Sequence, residues 1–361
     1  MKNICFLISA LDNSGGTERV TSLIANSLIN FDYNITIISS LGGGNPFFEL
    51  NEKIKIFSIF PENVSLKKKS PILIYRIRQI LINEKVDTLI VVDSINCFFT
   101  CIAAMGLNIY HICWEHFNLK VNLGSKFRDI GRWMAVRWCD KIVTLTERDK
   151  KFWENHFNIT SKNKVVAINN PSSYILQNNI PKLENKKILC VGRLTHQKGF
   201  DLLLTSWSKV SSKMIGWELV IVGDGEDKIK LEKQAINLGI EKTVIFAGQQ
   251  KDVRVFYENA SFFCMSSRYE GLPMVLLEAQ SYNLPIVSFD CNTGPAEVII
   301  DGLNGYLVDH LDIKELSESL LKMASLTHFD YSLMISNSSQ NVKRFELDNI
   351  LLAWKDIFNE K

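Results

Sequence analysis

Several features that often decide what a chain does are missing from these 361 residues. No basic segment, apolar stretch and small-residue cleavage site stand at the start. Residues 1–9 read as a short buried strand, so no leader is expected. No apolar run is clean enough to cross a bilayer. Residues 95–114 contain no Asp, Glu, Lys or Arg, yet Asn96, Thr100, Gly106, Asn108 and His111 would strand too many polar groups in hydrocarbon. Strand, buried helix, strand is the better reading there. The eight cysteines (5, 97, 101, 113, 139, 190, 264, 291) form no CxxC pair and mostly fall in apolar runs. That predicts buried thiols in a reducing compartment, with no zinc site and no disulfide framework. No GxGxxG fingerprint follows the first strand, no clear acid closes the second, and no Walker A motif occurs. Low-complexity tracts and short-period repeats are absent too.

What is present is ordinary soluble-protein material, 46% hydrophobic and 22% charged. The length suggests about two domains, at roughly 150 residues each. A net charge of +2 conceals an asymmetry: residues 1–170 hold 21 Lys/Arg against 15 Asp/Glu, and residues 171–361 hold 20 against 24. A modestly basic first half suits an anionic membrane or a phosphate-bearing substrate, although chance solvated surface accounts for it equally well.

Apolar runs at 4–9, 35–40, 89–92, 109–114 and 142–145 read as strands, with 165–169 as a sixth. The first four are runs rather than alternations, as parallel strands covered on both faces require. Helical patterns at 18–28, 72–82 and 126–138 lie between them, giving a doubly wound α/β domain over 1–170. A polar, Asn-rich stretch from Asn169 to Asn185 breaks the pattern. A second set of strands follows at 188–191, 218–222, 243–247, 262–266, 285–289 and 305–308, with helices at 201–210, 228–238, 253–260, 273–282 and 312–324. This second domain covers 171–346, and a last helix near 347–358 is placed to pack back on the first.

The densest chemistry lies between Arg268 and Glu278. Pro273 sits where a first helical residue would, its fixed φ and missing N–H costing nothing there. Glu270 then falls in the loop before the helix and Glu278 on its second turn. The N–H groups of Leu272, Met274 and Val275 point out of the helix end with the positive end of its dipole, an anion site flanked by two carboxylates. Arg193 and Lys198 lie five apart on the loop after the first strand of the second domain, between Gly192 and Gly199. An Arg fork and a Lys point charge on one loop can grip a diphosphate, and His196 between them reads as a solvated residue. Gly15 and Gly16 make a turn before the first helix that lets backbone N–H groups approach a phosphate, or is simply a tight βα turn. Asp224 and Gly248 end two strands and fit the rim of a nucleobase pocket or ordinary turns.

In this order, Gly15-Gly16, Gly192-Arg193 with Lys198-Gly199, Glu270 to Glu278, and Gly294-Pro-Ala-Glu297 with Asp301 to Gly305 resemble the retaining glycosyltransferases of family four, over essentially the full chain. The second half carries the specific part of that resemblance. It implies the GT-B fold, two facing Rossmann-like domains with an interdomain cleft. It implies that Arg193 and Lys198 neutralise the leaving diphosphate, joined by Gly16 and by the N–H groups of Leu272, Met274 and Val275. Glu278 would hold the ribose hydroxyls, with Gly271 and Pro273 beside the donor sugar. Glu270 would face the donor sugar, and closure about Asn169 to Asn185 would assemble the site. His116 matches the histidine that approaches the sugar, with Glu115 as the competing candidate. No metal or other cofactor is expected. The expected co-substrate is a nucleotide sugar, UDP-hexose or UDP-N-acetylhexosamine favoured, and the expected acceptor is a glycan or lipid-linked saccharide of a surface polysaccharide. A cytoplasmic location follows, at the inner face of an anionic membrane if the basic segments Lys67 to Lys69 with Arg76 and Arg78, and Arg128, Arg132 and Arg137 with Trp133 and Trp138, approach it; a core-facing stripe with a solvated rim accounts for the first equally well and is the favoured reading of the second. No nucleic-acid partner is implied. Two other readings share the architecture: a UDP-sugar 2-epimerase, and a non-catalytic nucleotide-sugar-binding subunit.

Overall fold

The computed structural model describes residues 2–62, 64–161 and 163–360, and the chain divides into two compact units. The first comprises Met1–Pro171 with Leu347–Lys361, the second Ser172–Glu346. No described helix is long and apolar enough to cross a membrane.

In the first unit the order is β1 (Asn3–Ala10), α1 (Gly16–Leu28), β2 (Asn34–Leu41), β3 (Lys55–Phe60), α2 (Ser70–Asn83) and β4 (Thr88–Val92). Then come α3 (Cys97–Ala103), β5 (Tyr110–Trp114), α4 (Lys126–Trp138), β6 (Lys141–Thr144), α5 (Glu147–His156) and β7 (Val165–Ala167). The seven strands form one parallel sheet in the order β3-β2-β1-β4-β5-β6-β7. Its central strands are buried on both faces, which is why they are unbroken apolar runs such as Ile4 to Ile8 and Leu89 to Val92. β3 is the exception. It is an edge strand with Lys55 and Ile56 exposed and Ile59 buried, and its half-solvated pattern hid it from the sequence reading. The helix α5 was also missed: seven of its ten residues are charged or histidine, and only Asp149 and Trp153 are buried.

The second unit runs β8 (Lys187–Val191), α6 (Phe200–Ser208), β9 (Glu218–Val222), α7 (Lys228–Asn237), β10 (Val244–Gly248), α8 (Arg254–Asn259) and β11 (Phe262–Met265). It continues through α9 (Met274–Ser281), β12 (Ile286–Phe289), α10 (Pro295–Val298), β13 (Gly305–Val308), α11 (Ile313–Ala324) and α12 (His328–Val342). Its parallel sheet has the order β10-β9-β8-β11-β12-β13, and Trp207, Phe262 and Phe289 lie wholly buried in its core. The last helix, α13 (Leu347–Asn359), packs on the first unit: Trp354 meets Trp114 edge to face at 5.0 Å, and Lys2 Nζ donates to the Phe358 carbonyl at 2.5 Å.

Strand order reverses between β1 and β4 in the first sheet and between β8 and β11 in the second. At such a reversal the connections leave in opposite directions, opening a crevice at the carboxyl ends of the two strands. Gly15 and Gly16 follow β1, and Arg193, Lys198 and Glu270 to Pro273 follow β8 and β11.

Candidate functional site

In the second unit, the loop after β8 carries Arg193 and Lys198, and the loop after β11 carries Glu270 to Pro273. These are the two loops of the switch point, and backbone bonds sew them together. Arg268 N donates to the Gln197 carbonyl at 2.8 Å, Gln197 Nε2 to the Tyr269 carbonyl at 3.0 Å, and Ser266 Oγ to the Lys198 carbonyl at 3.0 Å. The Arg268 guanidinium clamps Asp201 with two bonds at 2.8 and 2.7 Å and also reaches the His196 carbonyl. Gly199 is what permits this approach. It sits at φ +64°, and a Cβ there would fall 2.1 Å from the Ser266 carbonyl oxygen.

The result is a direct ion pair. Lys198 Nζ meets Glu270 Oε1 at 2.7 Å, with side chains 22% and 8% exposed. The Glu270 backbone is pinned in turn by Thr293 Oγ1, which donates to its carbonyl at 2.5 Å. Gly294 lies under the same loop: at φ +101°, its missing Cβ would be 2.5 Å from Pro273 Cδ and 2.8 Å from the Gly271 carbonyl. Arg193 stands exposed at the other end of the β8 loop.

Pro273 differs from the expectation. With ψ 112° it is the residue before the helix, and α9 begins at Met274. The reason is local: Pro273 must turn the chain from the Glu270 loop into the helix, and its extended ψ does so. Met274 and Val275 become the first two helical residues, whose N–H groups have no intrahelical partner. Glu278 lies on the second turn of α9 and is 95% buried, where its Oε2 accepts from Tyr257 Oη at 2.9 Å. Tyr257 is in α8 and stacks on Tyr282 at 5.3 Å, so its hydroxyl is fixed. No local signal links Tyr257 to Glu278, twenty-one positions apart.

Asp224 is exposed in the loop after β9, where its Oδ1 accepts from Gly225 N at 2.7 Å and Lys228 lies 3.4 Å away. Gly248, at φ +70°, closes β10 and accepts from Gly223 N at 2.9 Å. Asp224 follows β9, the neighbour of β8, and Gly248 ends β10, the edge strand beyond it, and both serve their turns.

In the first unit, Gly15 caps α1 and Gly16 is its first residue. A Cβ on Gly15 would meet Glu18 Oε2 at 2.4 Å, so the Glu18 carboxylate lies over this helix start, where a negative charge is favoured. His116 follows β5. It is 92% buried, its ring lies 4.3 Å from that of Trp114, and its Nε2 has no hydrogen-bond partner among the described residues. Burial holds its pKa down at about 4, against a smaller opposing pull from Glu115, so the ring is neutral at neutral pH.

Glu115 is bound differently. It is fully buried and accepts from Ser94 Oγ at 2.6 Å, Phe117 N at 3.0 Å and Arg132 Nε at 3.0 Å, with Arg128 at 3.5 Å. Burial would raise its pKa, but the two guanidiniums and these bonds bring it below the usual carboxylate range. Arg128 also forks onto Asp93, and Arg132 donates to the carbonyls of Asn118, Leu119 and Val121. Arg128 and Arg132 thus belong to a core-facing stripe of α4, the reading favoured for this segment over a membrane face. Arg128 and Arg132 point inward because Gly131, between them, lets the helix backbone close on Ser94; a Cβ there would lie 2.2 Å from the Ser94 carbonyl oxygen. What α4 exposes is Ile130, Trp133 and Trp138 together with Lys126, Asp129 and Arg137.

Comparison with known proteins places these loops in context. Residues 175–340 match the family model for group 1 glycosyl transferases, and residues 14–171 match that for glycosyltransferase family 4. An uncharacterized glycosyltransferase of Haemophilus influenzae is 38% identical over 358 residues, covering 99% of this chain and all of its own. The amylovoran biosynthesis glycosyltransferase of Erwinia amylovora is 30% identical, covering 99% of this chain and all of its own. Among solved structures, the apo form of the lipopolysaccharide outer core galactosyltransferase WaaB superposes with a TM-score of 0.80 at 25% identity, over 99% of this chain and all of the other.

Proposed function

The chain belongs to the family 4, group 1 glycosyltransferases, and from that we propose that it moves a hexose or N-acetylhexosamine from a UDP-sugar to a glycan or lipid-linked acceptor in surface-polysaccharide synthesis. Anomeric configuration is retained and no metal takes part in the chemistry. The observation that carries the reading is the Lys198–Glu270 contact at 2.7 Å across the switch point of the second sheet, beside the open start of α9. A cation and an acid so placed meet both ends of a departing sugar phosphate.

In the proposed step the bond from the anomeric carbon to the diphosphate oxygen breaks and a bond to the acceptor oxygen forms on the same face. The acceptor proton passes to the leaving phosphate. Arg193, Lys198 and the N–H groups of Leu272, Met274 and Val275 take up the charge developing on the diphosphate, a preorganised oxyanion stabilisation. Glu270 holds sugar hydroxyls and faces the positive charge at the anomeric carbon. Glu278, oriented by Tyr257, holds the ribose. Gly15 and Gly16 are assigned to the diphosphate and neutral His116 to a sugar hydroxyl. Glu18 must then yield its place over Gly15 to the incoming anion.

A UDP-sugar 2-epimerase would need several carboxylates and histidines in the first unit, and the carboxylate found for it, Glu115, is committed to Arg128 and Arg132. A lipid-linked acceptor at the cytoplasmic face of the membrane agrees with the exposed Ile72, Tyr75, Trp133 and Trp138 beside Lys67, Lys68 and Lys69; Lys67 lies 4.5 Å over the Phe127 ring of α4, so the two helix starts are neighbours. Surface-polysaccharide synthesis is what the names of the amylovoran and lipopolysaccharide relatives describe for those proteins.

A thermal-shift panel of UDP-, GDP- and ADP-sugars tests the donor, with stabilisation by a UDP-sugar expected; if none stabilises the protein, the donor site is misassigned. Glu270→Gln should abolish transfer with little loss of fold, and near-normal turnover would remove Glu270 from the chemistry.

A further inference from the structure

The spacing of the cysteines predicted no metal site, but the fold gathers half of them in one place. Cys97 and Cys101 are four apart on α3 and therefore share one of its faces. His111 and Cys113 are two apart on β5 and share one face of the sheet. Cys139 closes α4. Ligand atoms of Cys101, His111 and Cys139 all lie within 4.8 Å of one another, and Cys97, one helical turn before Cys101, is buried in the same core cluster with Cys113. All five residues are buried, Cys101 being the most exposed at 6%.

Two neighbours suit a cation here. His111 Nε2 pairs with Thr100 Oγ1 at 3.1 Å, while that hydroxyl also reaches the Asn96 carbonyl at 3.3 Å. With the hydroxyl proton given to the carbonyl, the oxygen accepts from Nε2, and the other ring nitrogen keeps its lone pair. A second group that orients the imidazole in this way is the usual support of a metal-bound histidine. Lys164 donates its ammonium to the Cys139 carbonyl, placing a positive charge at the edge of the thiol group.

We propose that Cys97, Cys101, Cys139 and His111 bind one zinc ion in the core of the first unit, a structural site separate from the glycosyl-transfer chemistry. Three thiolates and a neutral imidazole leave the ion with a single excess negative charge, which Lys164 offsets, so the site can be buried at tolerable cost. Binding releases the three thiol protons as the Zn–S bonds form, and no electron is transferred. Bond lengths of about 2.0 Å to nitrogen and 2.3 Å to sulfur put tetrahedral ligand atoms roughly 3.5–3.8 Å apart, so side-chain rotations must draw Cys101, His111 and Cys139 in by about 1 Å and turn the Cys97 thiol toward them. Soft sulfur with imidazole in a closed, four-coordinate setting favours zinc over magnesium or calcium. Such an ion would tie α3, β5 and the end of α4 together. These are the elements that aim Glu115 and His116.

The test is elemental analysis of the full chain, purified without chelator from zinc-replete culture. About one zinc per chain is expected. The double substitution Cys101→Ser with Cys139→Ser should lose it, whereas Cys190→Ser with Cys264→Ser, in the second unit's core, should keep it. If the first variant fails to fold, the native protein decides alone: unfolded and refolded under reductant with zinc chloride, it should regain about one zinc. Less than about a tenth of an equivalent, both as purified and after refolding, overturns the proposal. So does equal zinc in the native protein and in a folded Cys101/Cys139 variant. Neither outcome touches the donor-site reading, which the sugar panel addresses.

Discussion

Replacing Lys198 by Met removes the ammonium while keeping most of the apolar stem, so it isolates the charge of the pair with Glu270. In the native protein the two groups are 2.7 Å apart, with Glu270 8% exposed and Lys198 22% exposed. Fully buried pairs lose about 3–5 kcal/mol when one partner is removed, while exposed pairs lose about 1 kcal/mol or less. Water reaches Lys198 but hardly reaches Glu270, so the stability loss for Lys198→Met should fall between, at about 2 kcal/mol. Glu270→Gln alone should cost less, because the stranded charge is then the better-solvated one. In the double variant the stranded charge disappears, and the two costs should fail to add by about 1–2 kcal/mol. Urea unfolding of the four proteins measures this coupling. Turnover is the second readout: loss of one preorganised group on a leaving oxyanion costs about 10²–10³-fold in kcat. A coupling below about 0.3 kcal/mol would show that the ion pair does not exist in solution. A stability loss with kcat within threefold of native would confine Lys198 to structure and refute its place at the diphosphate.

Other outcomes follow from the same geometry. Glu115→Gln leaves the buried Arg132 guanidinium with only the exposed Asp129 carboxylate, 3.9 Å away, while Arg128 keeps Asp93, so it should cost about 3 kcal/mol in urea unfolding while the folded fraction keeps its kcat/KM; lost turnover without lost stability would return Glu115 to the reaction. For His116 the folded pKa of about 4 lies below the unfolded 6.5, so the unfolded chain binds the extra proton between those values. Its contribution is complete above about pH 6.5 and lost as pH falls toward 4, where the native protein should lose about 3 kcal/mol more than His116→Asn; parallel stability profiles for the two would refute the buried, neutral assignment. Gly199→Ala forces a Cβ against the Ser266 carbonyl at a positive φ, and should cost about 2–4 kcal/mol and raise the donor KM; native-like unfolding and KM would mean the two loops are not held this closely.

Why some of this was legible and some was not follows from how far each cause lies along the chain. Strands buried on both faces announce themselves as apolar runs, so β1, β4 and β9 were placed within a residue or so. An edge strand answers to one neighbour and to water, and the residues of β3 satisfy both without a clean period. The helix α12 was invisible for a related reason. It buries Tyr331, Met334, Ser338 and Val342 at helical spacing, but two of the four are weakly apolar or polar. The residues proposed for the donor stand out in the sequence because they fall in contiguous strings, Gly192 to Gly199 and Glu270 to Glu278. Tyr257 was not, since only the tertiary packing of α8 on α9 brings its hydroxyl to Glu278.

The first unit makes the harder case, because there the same residue types serve opposite purposes. Arg128 and Arg132, one helical turn apart beside exposed Trp133, have the pattern of an interfacial basic face. The deciding facts lie elsewhere: Asp93 and Glu115 end the adjacent strands β4 and β5, and Gly131 lets the helix descend onto them. An i,i+4 arginine pair around a glycine, following two strands that each end in an acid, is the signal that could have been read. Buried charge of this kind is costly unless every atom finds a partner. The expense here fixes the loop after β5, and with it the unpaired Nε2 of His116. Ion pairs that are complete, as at Glu115, hold the scaffold still. The partly open pair at Lys198 is the one a substrate phosphate could divide.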